Sequence, residues 1–272
     1  MSLLSWFSLA YRKGRKASAV AVCLAAVLIA GTLGAPHAWG QEKKLRIAAA
    51  ADLQPVMPVL SDAYEHATGV KLVVSFGSSS SLATQILDGA PMDIFLGADF
   101  TFPEKVVAAG MAEGNPTAYA KGTLVLWTRK DSGLLPLNLE RLTDPRVKTV
   151  AIANELHAPY GRAAAEALRR MKVYDTVSPH FVVGENIAQT AQFVESGNAQ
   201  LGFISLTAAS TEHFKQIGEY VLVPASQYTS ILQCAVIMKN SDRKAEARAF
   251  LDWLLSPAVQ QNWPKYGLAA VK

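Results

Sequence analysis

Cysteine is scarce in this chain: its 272 residues hold two, Cys23 and Cys234. Cys23 lies in an apolar run near the N-terminus. If that run is removed, Cys234 stands alone and no internal disulfide can form, so a packed core must hold the fold together. Half of the residues are apolar, enough to build one large domain or two small ones. The common enzyme signatures are also missing. No G-x-S-x-G surrounds a serine, no G-K-[ST] phosphate loop occurs, and no G-x-G-x-x-G turn marks a dinucleotide site. His66, His157, His180 and His213 are scattered without the spacing of metal ligands. Beyond the N-terminal segment, an excess charge of one sign is absent as well. The formal charge of +4 comes from Arg12, Lys13, Arg15 and Lys16, and the rest of the chain holds 22 basic and 22 acidic residues. Such a chain has no bulk attraction for nucleic acid or for an anionic membrane.

What is present begins with that N-terminal segment. The four basic residues precede an almost unbroken apolar run from Ala17 to Leu33, and Ala38-Trp39-Gly40 then offers small residues at the −3 and −1 positions of a cleavage site. This order is that of a secretory signal peptide, expected over residues 1–40 and cut near Gly40–Gln41, with export to the periplasm. The run of 17 residues is at the lower limit for spanning a bilayer. Val20-Ala21-Val22 lacks the small residue that normally precedes a lipidated cysteine, which argues against a lipid anchor on Cys23.

Strand-like and helical patterns alternate after residue 44. Leu45–Ala50, Val70–Phe76 and Ile94–Leu96 read as strands; Pro55–Thr68, the stretch through Leu82 and Ile86 to Gly89, and a segment opened by Pro103 and closed at Gly110 read as helices. Thr123–Thr128 reads as a strand leaving this first set. A second set follows, with strands at Val147–Ile152, Phe181–Val183 and Leu201–Ser205 and helices at Gly161–Met171 and Ala188–Ser196. Later strands fall at Glu219–Val223 and Ile231–Met238, and helices at Arg243–Leu254 and Pro257–Trp263 end the chain. The alternation predicts βαβ units and largely parallel sheets. The expected organisation is two α/β lobes, residues 41–125 with 233–272 and residues 126–232, with a ligand cleft between them.

Four short segments could carry chemistry. Ser75-Phe76-Gly77-Ser78-Ser79-Ser80-Ser81 lies between a strand and a helix; serines there cap the helix, and free N–H groups at the positive end of its dipole attract an anion. Ala51-Asp52 forms the first strand-to-helix turn, where Asp52 can cap the helix and the backbone N–H groups can face a ligand. His157-Ala158-Pro159-Tyr160-Gly161 precedes another helix and presents a phenolic donor. Glu185-Asn186-Ile187 precedes a further one, where the Ile187 N–H could be a donor or its side chain simply part of the core.

In this order, these segments resemble the periplasmic molybdate-binding proteins of ABC transporters, the ModA-like family. Ile47-Ala-Ala-Ala-Ala-Asp-Leu53, Ser75-Phe-Gly-Ser-Ser-Ser-Ser-Leu82, Gly89-Ala-Pro-Met-Asp-Ile-Phe-Leu-Gly-Ala-Asp99, Gly122-Thr-Leu-Val-Leu-Trp127 and Ala158-Pro-Tyr-Gly161 carry the resemblance, which spans Leu45 to Leu268. It implies a two-lobed, type II periplasmic-binding-protein fold, each lobe a mostly parallel sheet flanked by helices. It also implies a non-enzymatic protein that captures molybdate or tungstate as the intact oxyanion, without a cofactor. Its partners would be a membrane permease and its ATPase. Nothing in the sequence suggests an obligate oligomer, so a monomer is expected. Carried over, the ligand contacts fall on Asp52, Ser79, Tyr160 and Ile187, with Ala51, Ser78 and Ser205 as further contacts. The chain departs from the family in having Ala51-Asp52 where members often carry Ser, Thr or Asn, and Ser205 where some place a ligand-binding tyrosine. These departures keep another oxyanion such as sulfate open; a ferric-ion binder or an exported serine hydrolase is a more distant alternative.

Overall fold

A computed structural model describes residues 43–271; the signal segment expected over residues 1–40 lies outside the described residues. The first half runs β1 (Lys44–Ala50), α1 (Met57–Thr68), β2 (Lys71–Gly77), α2 (Ser79–Leu87), β3 (Ile94–Gly97), α3 (Thr101–Ala108) and β4 (Ala112–Gly122). The second comprises β5 (Leu124–Arg129), β6 (Val150–Ala153), α4 (Pro159–Arg170), β7 (Phe181–Gly184), α5 (Ile187–Glu195), β8 (Leu201–Ser205) and β9 (Gly218–Leu222). The chain then returns through β10 (Ile231–Met238), α6 (Lys244–Leu254) and β11 (Leu268–Ala269). Short helical turns fill the connections.

Two sheets result. One has the order β11-β4-β10-β3-β1-β2 and the other β7-β6-β8-β5-β9. Both are mixed, whereas the alternating pattern predicts largely parallel ones. β1 pairs in parallel with β2 and β3, as βαβ units require, but β10 runs antiparallel to β3 and β4. The reason is the route of the chain: β10 comes back from the second sheet and enters the first from the opposite direction.

β4 is the one long strand that the sequence pattern misses. Its Gly114-Asn115-Pro116 reads as a loop, and Gly114 has a φ of 76°. Those three residues form an irregularity in the ladder, since Ala235 pairs with Thr117 and Ile237 with Glu113. A bulge accommodates glycine and a proline without an N–H, so the strand continues past them. The final helix expected over 257–263 stops at Gln260, and a separate turn takes in Trp263 and Pro264.

Apolar side chains cover both faces of the first sheet. Leu45, Ile47, Met57, Leu60, Phe250 and Trp263 pack on one face, and Leu82, Ile86, Phe95 and Phe102 on the other. Each large side chain so buried contributes about 1.5–3 kcal/mol. A further cluster runs across the two halves: Ala50, Ala51 and Ala98 from the first pack with Tyr160, Ile187 and Leu124 of the second. That shared cluster brings the strand ends of one sheet against helix starts of the other.

Candidate functional site

β1 ends where the N-termini of α2, α4 and α5 converge. Ala51 and Asp52 after β1, Ser78 and Ser79 at α2, Tyr160 in α4 and Ile187 in α5 line one pocket with a cavity volume of about 10 Å³. A cavity of roughly 10–15 Å³ holds a single water, so the walls have closed down to the size of one small group. No lysine or arginine lines it. Its polar character comes from hydroxyls, an asparagine, one carboxyl and helix N-termini.

Local sequence explains each position. Ser78 caps α2 by accepting from the Ser81 N–H at 3.1 Å, and its own hydrogen is within reach of Ser81 Oγ at 2.9 Å and Glu185 Oε1 at 3.4 Å. Its hydroxyl is therefore engaged within the loop. Ser79 is different. Its Oγ accepts from the Ala98 N–H at 3.0 Å, which fixes the side chain while leaving its hydrogen for a ligand. Asn186 caps α5 by accepting from Ala188 and Gln189 N–H groups, both at 3.0 Å. The first N–H groups of α2 and α5, on Ser79 and Ile187, make no hydrogen bond among the described residues. Two dipole ends from different sheets thus meet at the pocket, an arrangement that favours an anion.

Asp52 is the exception to this donor-rich lining. It is 1% exposed. Its Oδ2 accepts from the Tyr160 hydroxyl at 3.1 Å and from Gln233 Nε2, whose Oε1 accepts in turn from the Tyr119 hydroxyl at 2.8 Å. Its Oδ1 is buried without a partner. Burial drives the carboxyl up to about 7, against the opposing pull of the Gln233 and Tyr160 hydrogen bonds. Burial and the neighbouring Asp52 hold the Tyr160 phenol well above the ordinary tyrosine range, so it stays a donor.

The same region ties the two halves together. Thr207 Oγ1 donates to the Asp52 carbonyl at 2.7 Å, the Ser80 N–H to the His157 carbonyl at 3.2 Å, and Arg162 pairs with Asp99 at 2.8 Å. Gly122 allows this closeness, and Gly161 lets α4 start against the end of β6. A Cβ on Gly122 would lie 2.2 Å from the Tyr160 hydroxyl, and one on Gly161 2.3 Å from the Ala153 carbonyl. Among the described residues, no group of three or more His, Cys, Asp or Glu side chains converges as a cation site.

Residues 45–269 match the family described as bacterial extracellular solute-binding protein. The chain belongs to that family. Among its relatives, the molybdate-binding protein ModA of Rhodobacter capsulatus is 38% identical over 201 residues, 74% of this chain and 78% of the relative. ModA of Azotobacter vinelandii is 35% identical over 228 residues, 84% of this chain and 90% of the relative. The solved structure of the Azotobacter vinelandii periplasmic molybdate-binding protein superposes with a TM-score of 0.79 at 32% identity, covering 84% of this chain and all of that one. The sulfate-binding protein SubI of Mycobacterium tuberculosis shares the fold, with a TM-score of 0.73 at 17% identity over 85% of this chain and 88% of its own. This solute-binding protein is therefore ModA-like.

Of the residues singled out in the sequence of this solute-binding protein, the fold gathers Ala51, Asp52, Ser78, Ser79, Tyr160 and Ile187 around the pocket. Ser205 lies elsewhere. Its hydroxyl caps a short helix at Leu206–Ala209, sits 2.7 Å from Thr207 Oγ1, and lines a neighbouring groove with Gln54 and Pro55. Sequence reasoning missed Gln233, Tyr119 and the capping role of Asn186. Gln233 did leave a signal, as the lone polar side chain in the apolar run Ile231-Leu-Gln-Cys-Ala-Val-Ile-Met238. Tyr119 left none, because its strand was hidden by Gly114 and Pro116.

Proposed function

We propose that this protein captures molybdate, with tungstate as a close substitute, outside the cytoplasm and delivers it to an ABC-transporter permease and its ATPase. The observation that carries this reading is a small pocket where a free serine hydroxyl and two helix N-termini meet without a cationic side chain. Molybdate at neutral pH is a dianion that only accepts hydrogen bonds, and donors are what the pocket supplies. A hydrogen bond to a charged group contributes about 1.5–3 kcal/mol net. Six or seven such bonds could offset desolvation and reach the roughly −8 to −12 kcal/mol of micromolar to nanomolar binding. The contacts we assign are Ser79 through its hydroxyl and N–H, Ile187 and Ala51 through their N–H groups, and Tyr160 through its N–H and its phenol–Asp52 pair. Ser78 acts mainly as a cap.

In this reading residues 41–125 with 233–272 and residues 126–232 are lobes that close on the ion and present an occupancy-dependent surface to the permease. The chain is exported, cut near Gly40–Gln41, and works as a monomer without catalysis or a resident cofactor. The test is a thermal shift of residues 41–272 against molybdate, tungstate, sulfate, phosphate and ferric citrate. A large rise with molybdate and tungstate and none with sulfate supports the reading. A rise with sulfate alone replaces it by a sulfate binder on the same fold, and a rise with iron alone by a ferric-ion binder.

A further inference from the structure

Ser79 and the two helix N-termini explain attraction for an anion, but they leave a carboxyl in the wall of an anion pocket unexplained. Asp52 lines that pocket, is 1% exposed, and has an Oδ1 that receives no hydrogen bond from any other residue. A buried acceptor without a donor is rare and destabilising, and an ionised one beside a dianion is more so. The groups hydrogen-bonded to the carboxyl are uncharged. Tyr160 comes from α4 and Gln233 from β10; Tyr119 of β4 reaches it through Gln233, and Thr207 holds its backbone carbonyl. At the rim, Glu185 accepts from Ser78 and sits 3.4 Å from His157, while Arg162 is engaged by Asp99. Neither partner on Oδ2 brings a positive charge.

Resting on the reading that the pocket holds an oxyanion, we propose that Asp52 binds it as the neutral carboxylic acid: one proton enters from solvent with each ligand, settles on Oδ1, and is donated to a ligand oxygen. With the carboxyl ionised, the Asp52–Tyr160 pair holds a single O–H hydrogen, and it lies between the two. A second hydrogen leaves one for the ligand, while Oδ2 keeps both of its donors. The unpartnered oxygen and the missing counter-charge are thereby accounted for together. Burial has already driven the carboxyl up to about 7, so the proton is available at neutral pH. The device also sharpens selection. A donor at this position meets a fully deprotonated oxyanion well and a ligand that presents its own hydrogen poorly.

The experiment is titration calorimetry of the purified protein with sodium molybdate between pH 6 and 8.5, in pairs of buffers that differ in ionisation enthalpy. Above about pH 7 the affinity should fall roughly tenfold per pH unit, with close to one proton taken up per ion bound. Asp52→Asn places a permanent donor where the acid's hydrogen would sit. It should bind with a flat pH profile and no proton uptake. His157→Gln should keep the wild-type slope, because its imidazole stands outside the pocket. A flat wild-type profile with no proton uptake overturns the inference while leaving oxyanion capture intact. So does a slope that survives in Asp52→Asn or disappears in His157→Gln. If none of molybdate, tungstate and sulfate gives binding heat at any pH, both readings fall. Absence of proton uptake by the wild-type protein overturns the inference even if a variant does not fold.

Discussion

Asp52 and Asp93 are both buried in the half built on the first sheet, and they have opposite surroundings. Asp93 has no exposed surface. It accepts from the Arg46 backbone at 2.7 Å, from Arg46 Nε at 3.0 Å and Nη2 at 2.7 Å, and from Ser241 at 2.8 Å. Burial pushes its carboxyl up, but these bonds and the guanidinium charge outweigh burial and hold it below the usual range. Asp52 is as little exposed, with neutral donors on one oxygen and no hydrogen-bond partner on the other. A buried acid surrounded by charge-assisted bonds is a structural fixture. One left half-satisfied at the wall of a pocket is a group waiting for a partner.

The two acids should therefore respond to pH with opposite signs. Asp52 has its carboxyl raised in the folded protein, so the folded state holds a proton that the unfolded chain releases. Its contribution to stability is fully present below about pH 4, falls as pH rises, and is lost by about pH 7. At pH 7.5 the ligand-free protein carries the whole penalty, up to about 4 kcal/mol at 1.36 kcal/mol per pKa unit. Asp52→Asn should remove it, raising stability in urea melts by up to that amount at pH 7.5 and by almost nothing at pH 4. An equal gain at both values would mean that charge is not the cause. Asp93 runs the other way. Its stabilisation is present above about pH 4 and is lost as pH falls through its lowered folded value. Arg46→Met leaves that carboxylate buried without its charge partner and should cost about 1–3 kcal/mol near neutrality, less than a fully buried pair because the Arg46 side chain is 40% exposed. The loss should shrink in acid, where the carboxylate is protonated. A loss under 1 kcal/mol would show that Ser241 and backbone donors suffice.

The contrast between these acids was not legible in the sequence, although much of the site was. Local pattern and capping chemistry marked the helix starts that hold Ser79, Tyr160 and Ile187, but the resemblance to the ModA-like family singled out those residues, and local pattern alone left Ile187 open as a core residue. Most strands could be read from local pattern, since β1, β3 and β8 are short apolar runs between turn residues. What settles the state of Asp52 is long-range. Gln233 lies 181 residues away along the chain and Tyr160 108. No local pattern reports such a partner. The mixed sheets were hidden in the same way, because strand direction depends on where β10 re-enters. Whether a side chain before a helix faces the pocket also escaped the pattern, as Ser205 shows.

Gly122 offers a way to break the Asp52 arrangement without touching a polar group. Its Cα lies against the Tyr160 hydroxyl, so Gly122→Ala must move either the phenol or β4. Overpacking of this kind typically costs about 1–3 kcal/mol. The expected result is a stability loss in that range together with weaker molybdate binding, because the phenol that orients the carboxyl is displaced. A variant destabilised to that degree with unchanged affinity would show that the Tyr160–Asp52 contact serves folding alone.

The smallest expected effects separate two serines that look alike in sequence, each at the start of a helix after a strand. Ser79 has its acceptor side filled by Ala98 and its hydrogen free at the pocket, whereas Ser205 lines the adjoining groove and caps a single helical turn. Ser79→Ala should weaken molybdate binding by about 1–3 kcal/mol in calorimetry, with some loss of stability from the unpaired Ala98 N–H. Ser205→Ala should lower stability by about 1 kcal/mol, the usual loss for a helix cap, and leave the affinity within about twofold. If Ser205→Ala weakened binding as much as Ser79→Ala, the ligand would have to reach the groove beside Gln54. The site would then extend beyond the pocket at the helix N-termini.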